Sequence, residues 1–210
     1  MQNGESASLR QARREDAADL ARLGDMAGHG LPSFLWRRSA TPGQDPFEIG
    51  IARAARDDAD FSWRNAVVLE DGGRVIAALV TYPIGDAPEP LDGLGPIVGT
   101  LQALENRALG SQYVNVLAVY PEFRRRGYGR RLLAEAERQA GARPLSLIVE
   151  DGNATARQLY EDFGFRVAAE TPMVKEDWKS EGTAWVLMLR PAAKAFPTEP
   201  RRTTLAGGGF

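Results

Sequence analysis

The sequence predicts an α/β fold in which helices cover both faces of a mixed β-sheet. Two observations lead to this prediction. Segments with strand character alternate with segments of helical periodicity, in the order β-α-α-β-β-α-β-α-β-α-β-β. The runs SQYVNVLAVY and PLSLIVED are almost continuously apolar, which is typical of strands buried on both faces. The chain has 210 residues, a length that suits one such domain.

The N-terminal part is predicted to form a short strand and two helices. Residues 8–13 alternate like a strand, and residues 14–28 follow with helical spacing. Residues 29–44 are interpreted as a loop with an aromatic patch. In the next helix Asp45 is the expected cap, and Pro46 occupies the first position, where a missing N–H costs nothing.

The remaining elements follow the same two periodicities. A hairpin is predicted around the turn Glu-Asp-Gly-Gly, because β-branched runs stand on both sides of it. A loop rich in Pro, Gly and acidic residues then precedes a third helix. A buried strand over residues 111–120, a helix over 129–142 and a second buried strand over 144–151 come next. The last elements are a helix over residues 153–165, capped by Asn153 and ended by Gly164, and two strands over residues 166–190.

The composition excludes several classes of protein. There is no cysteine and only one histidine, which excludes a cysteine nucleophile, a zinc ribbon and a disulfide framework. The net charge of -2 gives no overall attraction to nucleic acid. The sequence has neither a signal-peptide core nor an apolar stretch of about 18 residues, so we expect no membrane span. We expect a cytoplasmic location, which the absence of cysteine permits.

The segment PEFRRRGYGRRLL (residues 121–133) places arginines and glycines between a buried strand and an amphipathic helix. Free N–H groups at a helix start bind anions, and arginines add charge-assisted hydrogen bonds. The segment does not fit the Walker pattern GxxxxGK(S/T), and it lacks the third glycine of the dinucleotide pattern GxGxxG. It fits the pattern (Q/R)xxGx(G/A), although a basic surface turn would have the same composition.

A second motif follows the strand at 144–151. The segment NATARQLYEDFGF fills every position of the form NxxAxxLYxxxGF, with Asn153, Ala156, Leu159, Tyr160, Gly164 and Phe165. Together the two motifs resemble the acyl-CoA-binding region of the GNAT superfamily of N-acetyltransferases. The resemblance is specific over residues 113–166 and topological over residues 8–190. It implies a mostly antiparallel sheet of six to seven strands with helices on both faces.

The resemblance implies acetyl transfer from acetyl-CoA, as cosubstrate, to an amine. Backbone N–H groups of the loop would hold the pyrophosphate, and the end of the fourth strand would pair with the pantetheine and polarise the thioester carbonyl. Tyr160 would protonate the departing CoA sulfur. No metal is implied. The residues that the resemblance assigns to cofactor binding are Leu117, Ala118, Val119, Arg124, Arg125, Arg126, Gly127, Tyr128, Gly129, Arg130 and Asn153.

Structural explanations exist for the same residues. The end of the fourth strand could be plain core, Tyr160 a core aromatic residue, and Asn153 only a helix cap. The general base is left open, because the fourth strand carries no carboxylate where many relatives have one. Glu70, Glu105 and His29 are candidates, and removal of the proton by water is the alternative. Without cysteine an acyl-cysteine relay is excluded, which favours direct attack in a ternary complex.

The acceptor is expected to be a small-molecule or peptide amine. The loops that the resemblance assigns to it carry the acidic residues Asp86, Glu89 and Asp92, which suit a cation, and the apolar Trp36 and Trp178. Solvated acidic loops would have the same composition. The insert over residues 86–110 is expected to shape the acceptor pocket or to form a homodimer contact.

Three functions therefore stay open at this stage. The first is an acetyl-CoA-dependent N-acetyltransferase, with its domain over residues 1–190 and a flexible C-terminal tail over residues 191–210. The second is a non-catalytic acyl-CoA-binding or sensor protein, since a fold does not guarantee a reaction. A nucleic-acid partner using the basic segment is disfavoured by the near-neutral charge.

Overall fold

The computed structural model describes residues 7–192. Within that range no helix is both long enough and apolar enough to cross a membrane. Most of the predicted C-terminal tail, from residue 193 onward, lies outside the described residues. The division of the chain into a domain over residues 1–190 and a tail therefore stays a prediction.

The core of the fold is an open sheet of seven strands, as predicted. In sequence the strands are β1 (Ser8–Gln11), β2 (Ala66–Asp71), β3 (Arg74–Pro83), β4 (Gln112–Val119), β5 (Leu145–Glu150), β6 (Arg166–Pro172) and β7 (Ala184–Arg190). Their order across the sheet is β1-β2-β3-β4-β5-β7-β6. All neighbouring pairs are antiparallel except β4 and β5, which are parallel. The prediction of a mixed, mostly antiparallel sheet is thus confirmed.

Helices cover both faces of this sheet. They are α1 (Ala17–Ala27), α2 (Leu31–Ser39), α3 (Pro46–Ala54), α4 (Pro96–Glu105), α5 (Tyr128–Ala140) and α6 (Ala154–Asp162). The apolar stripe of α5 packs with α6 in one core cluster, and α1 packs with α3 in a second cluster on the other side of the sheet. Asn153 caps α6 by accepting a hydrogen bond from the N–H of Ala156, as its position in the sequence predicts.

The prediction of a loop over residues 29–44 is wrong, because most of this segment forms helix α2. Gly30 begins the helix with a φ of +82°, and Pro32 lies in its first turn. Leu31 and Trp36 are buried, so tertiary packing stabilises a helix whose glycine and proline suggest a loop. The next helix starts as predicted, since the Asp45 side chain accepts a hydrogen bond from the N–H of Phe47.

Helices α2 and α3 are in close contact at Gly50. A Cβ atom built on Gly50 would lie 2.5 Å from the ring of Trp36, which is 4% exposed. We expect Gly50→Ala to lower the free energy of unfolding by about 1–3 kcal/mol, because a rigid buried ring must move. Thermal unfolding of Gly85→Ala is the matched control, since its Cβ would meet nothing within 4 Å. Equal melting temperatures for the two variants would contradict this packing.

Strands β4 and β5 open a cleft in the middle of the sheet. They pair only at Gln112 with Leu145 and at Tyr113 with Ser146, and beyond these pairs they separate. The register between β3 and β4 also shifts, so that Asn115 has no partner on β3. The separation from β5 leaves the β5-facing edge of β4 unpaired along the cleft, which lies where the sequence motifs meet.

Candidate active site

A cavity of about 1100 Å³ occupies the cleft between β4 and β5. Its walls come from β4, the β4–α5 loop, the starts of α5 and α6, the end of β5 and the α1–α2 loop. The site residues predicted from the sequence that line it are Leu117, Ala118, Val119, Arg124, Arg125, Gly127, Tyr128, Gly129, Arg130, Asn153 and Tyr160. Arg126 does not line it, because its guanidinium lies over the Phe123 ring and donates a hydrogen bond to the carbonyl of Glu122.

The β4–α5 loop presents a run of free backbone N–H groups. Arg125 and Gly127 both have a positive φ, of +62° and +81°, and α5 begins at Tyr128. Within the described chain the N–H groups of residues 125–130 donate to no carbonyl oxygen. Alternating left- and right-handed residues before a helix start form a concave anion-binding nest. The loop can therefore hold a phosphate with main-chain donors and the helix dipole.

The two glycines of the loop serve different purposes. A Cβ atom on Gly127 would meet nothing within 4 Å, so no close contact requires a glycine there. The positive φ of Gly127 is the reason for a glycine at this position. A Cβ atom on Gly129 would lie 3.0 Å from the Leu159 side chain, so this glycine allows α5 and α6 to approach. The helices of the two motifs thus pack directly against each other.

Tyr160 lies on α6 with its ring packed against Phe165. The side chain is 8% exposed, and burial raises the pKa of Tyr160 to about 12. A phenol with this pKa is protonated throughout the neutral range, so it can donate a proton but cannot act as a base.

The three candidate bases fall in different places. Glu70 pairs with Arg10 at 2.6 Å on the β1–β2 side of the sheet and does not line the cavity. Glu105, at the end of α4, lines the cavity. Burial, together with the charge of Asp60, raises the pKa of Glu105 to about 7, and the hydroxyl of Tyr113 partly opposes this rise. His29 also lines the cavity, from the loop between α1 and α2.

Sequence reasoning missed one carboxylate in the cavity wall. Glu150 ends β5 and is 7% exposed. Its Oε2 accepts a hydrogen bond from Oγ of Ser180 at 3.0 Å and lies 3.1 Å from Nδ1 of His29. The amide nitrogen of Asn153 lies 3.2 Å from Nε2 of the same histidine. The available signal was an acidic residue at the end of an otherwise apolar strand, directly before the second motif.

The residues expected at the acceptor end are only partly in place. Trp36 lines the cavity, whereas Trp178 stacks on Trp185 at 5.7 Å in the core and does not line it. The acidic loop residues Asp86, Glu89 and Asp92 are exposed and lie outside the cavity wall.

The insert contributes to the cavity through its helix. Leu101 and Glu105 of α4 line the wall, in agreement with a role of residues 86–110 in shaping the pocket. The alternative, a homodimer contact, stays a prediction.

Among residues 7–192 no cluster of three or more histidine, aspartate or glutamate side chains could hold a metal ion.

Comparison with known proteins agrees with this geometry. The sequence profile of the acetyltransferase (GNAT) family matches residues 34–165. An N-acetyltransferase from Staphylococcus aureus superimposes with a TM-score of 0.59 and 18% identity over 87% of this chain and 100% of its own. The ribosomal-protein-alanine N-acetyltransferase from Escherichia coli superimposes with a TM-score of 0.55 and 18% identity, over 93% of this chain and 99% of its own. No curated protein matches the sequence.

A third solved structure concerns the cosubstrate. It is yncA from Salmonella typhimurium, solved with its cofactor acetyl-CoA, which has a TM-score of 0.55 and 19% identity over 93% of this chain and 99% of its own. The fold of this chain is that of these acetyltransferases. The chain belongs to the GNAT acetyltransferase family. The recognition made from the two sequence motifs is confirmed.

Proposed function

We propose that the protein is an acetyl-CoA-dependent N-acetyltransferase that acts on a primary amine in a ternary complex. The observation that carries this proposal is the placement of two groups in one cleft. Tyr160 lines the cavity between β4 and β5, and so do five loop residues with free backbone N–H groups, Arg125, Gly127, Tyr128, Gly129 and Arg130. Hydrogen-bond donors for a phosphate and a proton donor lie in one cleft. This combination suits a cosubstrate with a pyrophosphate and a thiolate leaving group.

The chemistry can be divided among the residues of the cleft. The nest before α5 would hold the pyrophosphate, and the backbone of Leu117, Ala118 and Val119 would pair with the pantetheine. The amine nitrogen forms a bond to the thioester carbon, and a β4 N–H stabilises the oxyanion. The carbon–sulfur bond then breaks, and Tyr160 gives its proton to the sulfur.

We assign the general base to Glu105. Its carboxylate lines the cavity, and its pKa of about 7 lies near the pH at which a base exchanges protons efficiently. Below that pH the carboxyl group is protonated and cannot accept the amine proton, whereas above it the group is ionised. Because Tyr160 stays protonated up to about pH 12, its ionisation does not lower the rate at any pH in the measurable range.

A pH profile of kcat/KM tests this assignment. We expect the rate to rise with pH through about 7 and then to level off. In Glu105→Gln the rise should disappear, and the rate above pH 8 should fall by about 10²–10⁴-fold. Glu70→Gln is the matched control, because Glu70 lies outside the cavity and should leave the profile unchanged. A profile of Glu105→Gln identical to that of the wild type would contradict the assignment.

The transfer itself can be measured by release of free CoA. Since the chain contains no cysteine, every thiol detected after mixing with acetyl-CoA and a panel of primary amines is CoA. We expect thiol release that depends on the amine. Binding of acetyl-CoA without release for any amine would instead favour the alternative, a non-catalytic acyl-CoA sensor.

A further inference from the structure

Two buried polar atoms in the cavity wall have no hydrogen-bond partner within residues 7–192. They are Oε1 of Glu150 and Nε1 of Trp185. Glu150 and Trp185 are direct partners on β5 and β7, so their side chains lie on one face of the sheet, and both residues line the cavity. Folded proteins leave few buried polar atoms unpaired, so the free oxygen of Glu150 calls for an explanation.

The second oxygen of Glu150 lies 3.1 Å from Nδ1 of His29. Oδ1 of Asn153 accepts a hydrogen bond from the N–H of Ala156, so the amide nitrogen is the atom that faces Nε2 of His29. That nitrogen can only donate, which makes Nε2 the acceptor and places the imidazole proton on Nδ1, facing Glu150. In this hydrogen-bond arrangement the imidazole faces only one oxygen of Glu150, and Oε1 is left without a partner.

Glu150 is a buried carboxyl group that has no lysine or arginine partner among residues 7–192. Its side chain is 8% exposed. Its other partner, Ser180, donates a hydrogen bond from an uncharged hydroxyl. A buried charge is costly unless a charge of opposite sign pairs with it. The unpaired oxygen in the cavity wall therefore suits a cation supplied by a ligand.

Two loops meet at this carboxylate. His29 lies between α1 and α2, and Ser180 lies between β6 and β7. The backbone of His29 has a φ of +49°, a conformation that a residue with a side chain rarely adopts and that is frequent at functional sites. A molecule bound at Glu150 would contact both loops, with the apolar side chains of Leu31 and Trp36 in the same cavity.

We propose that Glu150, positioned by His29 and Ser180, binds the protonated amine of the acceptor. The substrate class is then a cationic primary amine with an apolar body, and the proposal rests on the function proposed above. The ammonium group pairs with Glu150 on arrival, and Glu105 subsequently takes its proton. The freed lone pair attacks the thioester carbon, as described for the transfer.

Binding of matched probes tests this inference without turnover. The probes are ethylammonium, butylammonium and phenethylammonium, each compared by calorimetry with the alcohol of the same carbon skeleton, with and without CoA. We expect at least one ammonium ion to bind wild-type protein at least about tenfold more tightly than its alcohol. In Glu150→Gln, which keeps the shape and removes the charge, this ratio should fall to about 1.

The controls separate the outcomes. Glu89→Gln removes an exposed carboxylate outside the cavity and should keep the wild-type ratio. The inference would be overturned if the wild type bound no ammonium ion more tightly than its alcohol, whether or not the variant folds. A preference that persists in Glu150→Gln would also overturn it. A protein that prefers ammonium through Glu150 but does not bind acetyl-CoA would instead contradict the proposed function alone.

Discussion

Tyr160→Phe is expected to lower kcat by about 10²–10⁴-fold, because the departing thiolate loses its proton donor. The affinity for acetyl-CoA should change little, since the ring that lines the cavity is retained. The fold should also be unchanged, because burial is the sole cause of the raised pKa and no hydrogen bond of the hydroxyl contributes to it. Single-turnover kinetics at saturating acetyl-CoA would measure the loss in the chemical step.

A second tyrosine serves as the control for this substitution. The hydroxyl of Tyr120 donates a hydrogen bond to Asp19 at 2.6 Å and lies outside the cavity wall. Tyr120→Phe should therefore cost some stability and leave kcat close to the wild-type value. If Tyr160→Phe retained the wild-type kcat at saturating substrates, the residue would be a core aromatic and water would protonate the thiolate.

Gly127→Glu is expected to weaken acetyl-CoA binding by about 100-fold or more, since a like charge placed against a bound anion costs several kcal/mol. The side chain would project from the nest in which the free N–H groups converge. Its positive φ of +81° adds backbone strain for any residue with a Cβ atom. Calorimetric titration of the variant with acetyl-CoA measures the loss of affinity directly.

Gly43→Glu separates the charge effect from the strain. Gly43 has a φ of +85°, an open surrounding and an exposed position outside the cavity. The two variants should therefore lose similar stability, while only Gly127→Glu loses cosubstrate affinity. Equal affinities of the two folded variants for acetyl-CoA would show that the loop does not bind the pyrophosphate.

The fold and the cosubstrate end of the cleft could be predicted because short stretches of sequence encode them. The cap at Asn153, the helix end at Gly164 and the glycines around Tyr128 act within a few residues of themselves. The pattern of apolar residues then defines which face of each helix is buried. These local rules were sufficient to place Tyr160 and the loop in one cavity.

The proposed acceptor end could not be predicted, because it depends on long-range contacts. The proposed role of Glu150 depends on His29 and Ser180, which belong to the α1–α2 and β6–β7 loops and are far apart in sequence. The raised pKa of Glu105, on which its proposed role as a base depends, arises from burial and from Asp60, which is distant in sequence. The acidic loop at Asp86, which looked suitable from composition, is exposed instead. Helix α2 was missed for a similar reason, since packing of Trp36 stabilises it.

Calorimetric titration of the wild-type protein with acetyl-CoA tests the central claim most directly. A cavity with a preformed anion-binding nest predicts a single site with a Kd in the micromolar range, or about -8 kcal/mol. Free CoA should bind at the same site, because the pyrophosphate and pantetheine are common to both. The absence of binding for either molecule would contradict the account and leave the arginine-rich segment as a basic surface turn.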